Sequence, residues 1–459
     1  MNKFESWVQA ILFITAVTVP VIIFGTGHRP EIGQNRTPTP RPTLSASGFL
    51  DRELTPQLDD YLEDALFITP EATKVVSRLY LAAGVSPSPL VALGEDDWLF
   101  YTNSLEQPCL SEPQLAAYAD TLLRAKRAVG ATGRQLLTAI APDKASIFPD
   151  RLGSQTDIGC VLSNAENLHS LAETTGIVTV WDELRDQRPS GELLYLHKDT
   201  HWTHLGASIM ASAIVDTLSP GSWDDSATGV VEIIEHEGDL TVMIAFRSIE
   251  LMDTMASRVD GLHTEVETEI VIESETHPII KEHFTTTGNT PIKSKTLVIH
   301  DSFGRGLTRL VAPYFQDITF IERAHPATDV SIASLLEAET IIHVRVQRDI
   351  TAEFIHRDMA AQFVSVYADS YEQWGSGTID GQTAVSMPLP LPPDADNYAV
   401  IDLPEGSPPV QVSVGTRTLI AAPHQPKPAF LINDTSVLTA TGHVNYYLVS
   451  IPHEVAGLS

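Results

Sequence analysis

Three short runs decide most of what this chain can fold into. Leu136–Ala141, Lys295–Ile299 and Thr340–Val346 are apolar-rich and only strand-length, as expected of strands buried on both faces. Helix-patterned sequence flanks each of them. Glu112–Val129 carries Leu115, Tyr118, Leu122, Leu123 and Ala125 at helical spacing before the first run. Arg305–Phe315 follows the second, and Ile350–Ala368 follows the third. Asn164–Thr174 with Ile177–Trp181, His204–Leu218, Asp317–Ile321 and Ser331–Glu337 keep the alternation going. Strands alternating with helices of this length predict an α/β fold, a parallel sheet flanked by helices.

Two stretches break the rhythm. Gly229–Glu282 mixes strand-like runs such as Glu265–Ile272 with polar turns, and reads as an excursion from the sheet. After Gly375 the chain is proline-rich at Met387–Pro393. It then shows short β-prone runs at Tyr398–Leu403, Val410–Val414, Leu419–Ala421 and Asn445–Ile451. These predict a small C-terminal β module.

The 459 residues suffice for two domains with full cores. The formal net charge of -30 repels nucleic acid and anionic lipid surfaces, which excludes both as partners. From Trp7 to Gly25 no residue is charged, and this length suits a membrane-spanning helix. A long signal peptide is the rival reading, and Pro20 keeps it open. Residues 26–48 are rich in Pro, Thr, Arg and Gly and read as an extended tether. The expected organisation is therefore a head at 1–6, a span at 7–25, a linker at 26–48, an α/β body at 49–372 and a β-rich module at 376–459. The amphipathic segment Gln57–Ala83 is read as helix. Cys109 and Cys160 either form one disulfide or remain as two buried thiols, and neither has metal or redox spacing.

The chemistry concentrates in two motifs, Asp199-Thr200-His201-Trp202 and His300-Asp301-Ser302-Phe303-Gly304. A serine hydroxyl needs an imidazole to take its proton, and the imidazole needs a carboxylate to fix its tautomer. In extended chain, residues two apart share a side, so Asp199 can back His201 while His201 faces Ser302. Ser302 also follows a buried strand, and α/β sheets bind ligands beyond the carboxyl ends of their strands. The bland alternatives are a helix N-cap at Asp301 or Ser302 and a structural histidine at 201.

The combination of motifs resembles a known family. Gly94-Glu95-Asp96-Asp97-Trp98-Leu99-Phe100-Tyr101, Ala141-Pro142-Asp143-Lys144 with Phe148-Pro149, the Asp199 motif with Gly206, Gly238-Asp239-Leu240 and Asp301-Ser302-Phe303 fall in one characteristic order. That order is similar to the alginate O-acetyltransferase group of SGNH-hydrolase-like proteins, the AlgJ and AlgX kind, over roughly Phe49–Met359. In that group the histidine motif precedes the serine motif, as here. The resemblance implies an SGNH-like acetyltransferase with Ser302 as nucleophile, His201 as general base and Asp199 as its orienter, needing no cofactor or metal. It implies a polysaccharide acceptor, an acetyl donor relayed by a multispanning membrane acyltransferase, and a body held outside the cytoplasm with residues 1–6 inside.

One position departs from the family pattern: the serine block usually reads Gly-Asp-Ser, and here His300 stands first. His300 is expected either to bind substrate or to pack at the strand end. Trp202 is a substrate-binding candidate or a core anchor. Lys144 is a candidate contact for a donor or acceptor carboxylate, or else a solvated loop lysine. Arg348 resembles a family arginine, with a structural salt bridge as its alternative. The C-terminal module is a candidate glycan binder, with no clear aromatic platform beyond Trp374, Tyr446 and Tyr447. A carbohydrate acetylesterase using the same triad, and a noncatalytic glycan-binding scaffold, are the competing functional readings.

Overall fold

The computed structural model describes Thr18 and residues 70–153, 156–246, 248–272, 279–322, 335–350, 359–379, 385–386, 391–403, 407–414, 417–421, 427–432 and 436–454. The expected head, span, linker and start of the body lie outside these, Thr18 apart. Among the described residues no helix is long and apolar enough to cross a membrane.

Helix α1 (Pro70–Ala82) is the described part of the helix expected at 57–83. A small hairpin follows, β1 (Val91–Leu93) against β2 (Leu99–Tyr101). Its turn puts Asp96 and Asp97 at positive φ. Helix α2 (Glu112–Gly130) starts with a capping box between Ser111 and Gln114 and has proline in its first turn, so its N-terminus is locally specified. It leads into β3 (Gln135–Ala141), which is buried over six of its seven residues. Helix α3 (Gly159–Ser170) and β4 (Val178–Thr179) come next. Strand β4 is shorter than expected because Trp181 already begins a seven-residue helix, Trp181–Gln187. Helix α4 (His204–Leu218) is capped by the Thr203 side chain, which accepts from the Gly206 amide.

The region expected to leave the sheet divides in two. Among the described residues, strands β5 (Thr228–Glu237) and β6 (Ile249–Ser257) pair only with each other. Strands β7 (His263–Ile272) and β8 (Ile279–Thr287) instead extend the central sheet, with β8 antiparallel to β10 (Phe315–Glu322). With β9 (Ile292–His300) and β11 (Thr340–Val346), the sheet order is β4-β3-β11-β9-β10-β8-β7. The first five strands are mutually parallel. Strand β11 is buried along its whole length and β9 over its last five residues, as strands covered on both faces are.

The continuous helix expected at 305–315 is instead broken. A 3-10 turn over Ser302–Gly306, a short helix Thr308–Val311 and another turn over Ala312–Tyr314 replace it. Gly304, Gly306 and Pro313 sit in those pieces and each disfavours a regular helix. Helix α5 (Met359–Val366) is the described part of the last expected helix.

Strands β12 (Gln373–Ile379), β13 (Val385–Ser386), β14 (Ala395–Asp402), β15 (Val410–Val414), β16 (Arg417–Ala421), β17 (Ala429–Ile432), β18 (Val437–Ala440) and β19 (Val444–Pro452) form two four-stranded antiparallel sheets, ordered β12-β19-β14-β17 and β13-β18-β15-β16. Strand alternation serves two cores. Ala399, Ile401, Tyr446 and Leu448 face the second sheet, while Tyr398, Val400, Tyr447 and Val449 join the core of the α/β body. An ion pair from Arg127 on α2 to Asp396 on β14, 2.7 Å, adds to that seam. Tyr446 and Tyr447 are thus buried packing residues, and they offer no open aromatic platform.

Candidate active site

Strands β3, β11 and β9 are neighbours, and their carboxyl ends deliver Asp143 and Lys144, Arg348, and Ser302 to one edge of the sheet. The turn after β9 is tied down by Asp301. One of its carboxylate oxygens accepts the Phe303 amide at 2.9 Å, and the other accepts the Val346 amide at the end of β11 at 2.7 Å. The capping role therefore falls to Asp301, and the neighbouring hydroxyl is left for other work. Ser302 Oγ lies 2.8 Å from His201 Nε2, and its hydroxyl can donate there.

The segment carrying His201 is held from several sides. Tyr195 and Trp202 form an isolated antiparallel bridge, and the Leu99 amide of β2 donates to His197 O. Gly238 approaches so closely that a Cβ there would fall 2.1 Å from Lys198 O. That closeness brings the Asp239 amide to the Asp199 carboxylate, which only glycine at 238 permits.

Asp199 is 3 % exposed, and both of its oxygens are engaged. Oδ1 accepts from His201 Nδ1 at 2.6 Å and from the His201 amide at 2.8 Å. Oδ2 accepts from His236 Nε2 at 2.8 Å and from the Asp239 amide at 3.0 Å. Burial works against the charge, but hydrogen bonds from His201 and His236 outweigh it and hold the carboxyl well below its ordinary 3.8. An ionised Asp199 keeps the proton of His201 on Nδ1, so that Nε2 presents a lone pair to Ser302. The set can therefore remove a proton from Ser302 Oγ.

Asp239 braces the same loop, accepting from the Thr200 amide at 2.8 Å and the Thr200 hydroxyl at 2.6 Å. Burial, then the charge of Asp199, raise its pKa. Asp199, His201 and Asp239 bring one ligand-type atom each within 4.8 Å. Those atoms are already spent on hydrogen bonds to one another and to Thr200, so the cluster reads as a hydrogen-bond relay.

The remaining sequence candidates all hold fixed positions. Trp202 is buried, and its indole N–H donates to Phe303 O at 3.1 Å, which joins the histidine segment to the serine turn. Lys144 is not the solvated loop lysine of the alternative reading. It is 3 % exposed, and its ammonium donates to Leu196 O, His197 O and Asp199 O at 3.2, 3.1 and 2.6 Å. Burial pushes that ammonium down to about 7, with Asp199, Asp239 and Glu250 opposing. Its place beneath the Asp199 loop is invisible in the sequence, because the loop that covers it lies fifty residues away.

Arg348 pairs with the buried Asp143 at 2.5 Å, and its guanidinium lies over the rings of Tyr101 and Phe303 at 5.6 and 5.2 Å. Asp143 also accepts from Gln107, in the segment that the Cys109–Cys160 disulfide fastens to α3. His300 packs at the strand end, edge-on to Phe320, with Nδ1 donating to Asp301 O at 2.6 Å. Its ring fills the space over Gly304, where a Cβ would sit 2.3 Å from it. The small residue that the serine turn requires is therefore found at 304, opposite a large one at 300.

Sequence reasoning missed His236. It sits two residues before the Gly238-Asp239-Leu240 block, inside the stretch read as an excursion. That proximity is the only signal that could have found it.

Residues 91–275 match the family model described as an SGNH hydrolase-like domain, acetyltransferase AlgX. Ser302 lies beyond the matched residues. Among curated relatives, the probable alginate O-acetylase AlgJ of Pseudomonas syringae pv. tomato is 23% identical over 209 residues, which is 44% of this chain and 53% of the relative. The protein of the same name from Azotobacter vinelandii is 26% identical over 213 residues, 43% of this chain and 54% of the relative. The chain spans about half the length of the curated relatives it matches. Among solved structures, Pseudomonas aeruginosa AlgX is 12% identical, covering 79% of this chain and 94% of that one at a TM-score of 0.44. The O-acetyltransferase domain of Pseudomonas putida AlgJ is 15% identical, covering 59% of this chain and 99% of that one at a TM-score of 0.41. Residues 91–275 are thus similar to the SGNH hydrolase-like domain of the AlgX model, and the curated relatives that the chain resembles are of the AlgJ kind.

Proposed function

We propose that this protein is an O-acetyltransferase that moves acetyl groups onto polysaccharide hydroxyls through an acetyl-Ser302 intermediate. The observation that supports this reading is the unbroken hydrogen-bond chain from Ser302 Oγ through His201 to Asp199, at 2.8 and 2.6 Å. Ser302 Oγ attacks the carbonyl carbon of an acetyl ester as His201 Nε2 takes its proton. The tetrahedral intermediate collapses, the C–O bond to the donor breaks, and the leaving oxygen takes the proton from His201. A sugar hydroxyl then attacks the acetyl-serine carbonyl while His201 accepts the hydroxyl proton. Release of Ser302 Oγ returns that proton to the serine, and the enzyme is regenerated.

The polysaccharide acceptor is read from the relatives, which are named probable alginate O-acetylases, and the donor route from the family resemblance of the motifs. The acetyl donor is read as a carrier supplied by a multispanning membrane acyltransferase. The body is read as extracytoplasmic, tethered by residues 7–25. The Cys109–Cys160 disulfide supports this, because such bonds persist in oxidising compartments.

Water in place of the sugar would make the same triad an acetylesterase, so the acceptor is what must be tested. Incubation with an acetyl ester and an acidic oligosaccharide, with both acetate release and oligosaccharide mass followed, separates the two. Acetylated oligosaccharide that accumulates at the expense of free acetate supports the transferase. Acetate release unaffected by the oligosaccharide would make the protein an esterase.

A further inference from the structure

The triad uses one oxygen of Asp199, and the second is held by a part of the molecule that the triad does not include. Hairpin β5–β6 stands apart from the central sheet, with Ile233, Ile249 and Leu251 exposed on its outer face. Its inner face carries the cross-strand pair His236 and Glu250. Glu250 accepts the amides of His197 and Lys198 at 3.1 and 2.8 Å, and His236 Nε2 donates to Asp199 Oδ2 at 2.8 Å. Two adjacent hairpin side chains thus grip three consecutive residues of the loop that ends at the catalytic pair.

We propose that the β5–β6 hairpin is a positioning element of the acyl-transfer site, and that His236, through Asp199, sets the proton affinity of His201. This rests on the reading of His201 as general base. A carboxylate shared by two imidazoles responds to the charge of both. While His236 is an imidazolium it draws on the Asp199 charge, so His201 gives up its proton at lower pH. When His236 is neutral it still donates one hydrogen bond, and His201 feels the full carboxylate.

The groups facing His236 are Asp199, Asp239, Glu250 and, from α4, His204. The hydrogen bond to Asp199 raises the His236 pKa above its ordinary 6.5, against partial burial. The ring therefore stays charged to higher pH than an ordinary histidine.

Two substitutions separate the donor from the charge. His236→Gln keeps an N–H donor without charge, and His236→Leu removes both. Each is made in the full-length chain, with thermal unfolding to show that it is folded. Two quantities are read: the His201 ring titration by NMR, and the pH profiles of kcat and KM for an acetyl ester. For His236→Gln, plateau kcat is expected within about threefold of wild type. Its His201 titration and the acid limb of kcat/KM should move up by roughly 0.5 to 2 pH units, as loss of a charge on the far side of the shared carboxylate, in a partly solvated site, implies. For His236→Leu, kcat should fall roughly 10- to 100-fold with KM little changed.

A His201 titration unmoved in both variants would overturn the inference, whatever the activity. The reading it rests on fails separately, through turnover that survives Ser302→Ala.

Discussion

Asp199→Asn would ordinarily be a gentle substitution, and at this position it is not. The carboxylate accepts four hydrogen bonds, two on each oxygen, and all four donors are N–H groups. An amide has one oxygen and one NH2, so either orientation points the NH2 at two donors. If the NH2 faces Oδ1's partners, His201 must accept on Nδ1 and carry its proton on Nε2, where it can no longer deprotonate Ser302. If it faces Oδ2's partners, His236 can change tautomer, but the Asp239 amide cannot become an acceptor. One hydrogen bond, from a backbone amide that cannot become an acceptor, is lost outright either way, at about 1.5–3 kcal/mol, and the fold should lose at least that much.

Activity should fall further than stability alone explains, by about 10³- to 10⁴-fold in kcat, as expected when a triad imidazole is held in the wrong tautomer. The assay is hydrolysis of a chromogenic acetyl ester, with urea unfolding of the same samples. The wild type carries a matching pH signature. Because the Asp199 pKa is depressed on folding, its stabilisation is complete above its ordinary value of 3.8 and fades as pH falls through the lower native value. Asp199→Asn should lack that acid transition. A variant within tenfold of wild-type kcat and equally stable would refute the four-donor argument.

Two further predictions concern the frame around the site. Cys109 and Cys160 are 51 residues apart, so replacing both by serine should cost about 4 kcal/mol in the chain-entropy model and lower Tm by on the order of 10 °C. An unchanged Tm by calorimetry would contradict that. Gly304→Ala should cost about 1–3 kcal/mol by overpacking against the His300 ring, and His300→Ala in the same chain should recover most of it. Additive losses in chemical denaturation of the two single variants and the double would show that the two residues do not share the space.

The parts of the fold legible in the sequence are those whose burial is dictated locally. Strands β3, β9 and β11 announce themselves because both faces are covered, and α2 because its cap and its stripe agree. Strands β7 and β8 were opaque. Glu265, Glu267 and Glu269 give β7 a polar alternating face, and nothing in that pattern says whether its partner is the central sheet or another hairpin. Of the site, Ser302, His201 and Asp199 were visible because the chemistry demands those types and extended geometry puts residues two apart on one side. Lys144 was misjudged because its surroundings come from the Leu196–Asp199 loop, and a lysine after Pro-Asp looks solvated until that loop closes over it. His236 was missed because its meaning depends on a hairpin folding back upon Asp199, a contact across 37 residues that no periodicity encodes.

The account turns on Ser302 carrying the acetyl group. Intact and peptide mass spectrometry of the full chain, quenched in acid during turnover of an acetyl ester, tests this most directly. One acetyl group should appear on the peptide containing Ser302, disappear on addition of an acceptor, and be absent from Ser302→Ala, which should also lose turnover. Undiminished turnover in Ser302→Ala, or acetyl on another residue that passes to the acceptor at the catalytic rate, would contradict it.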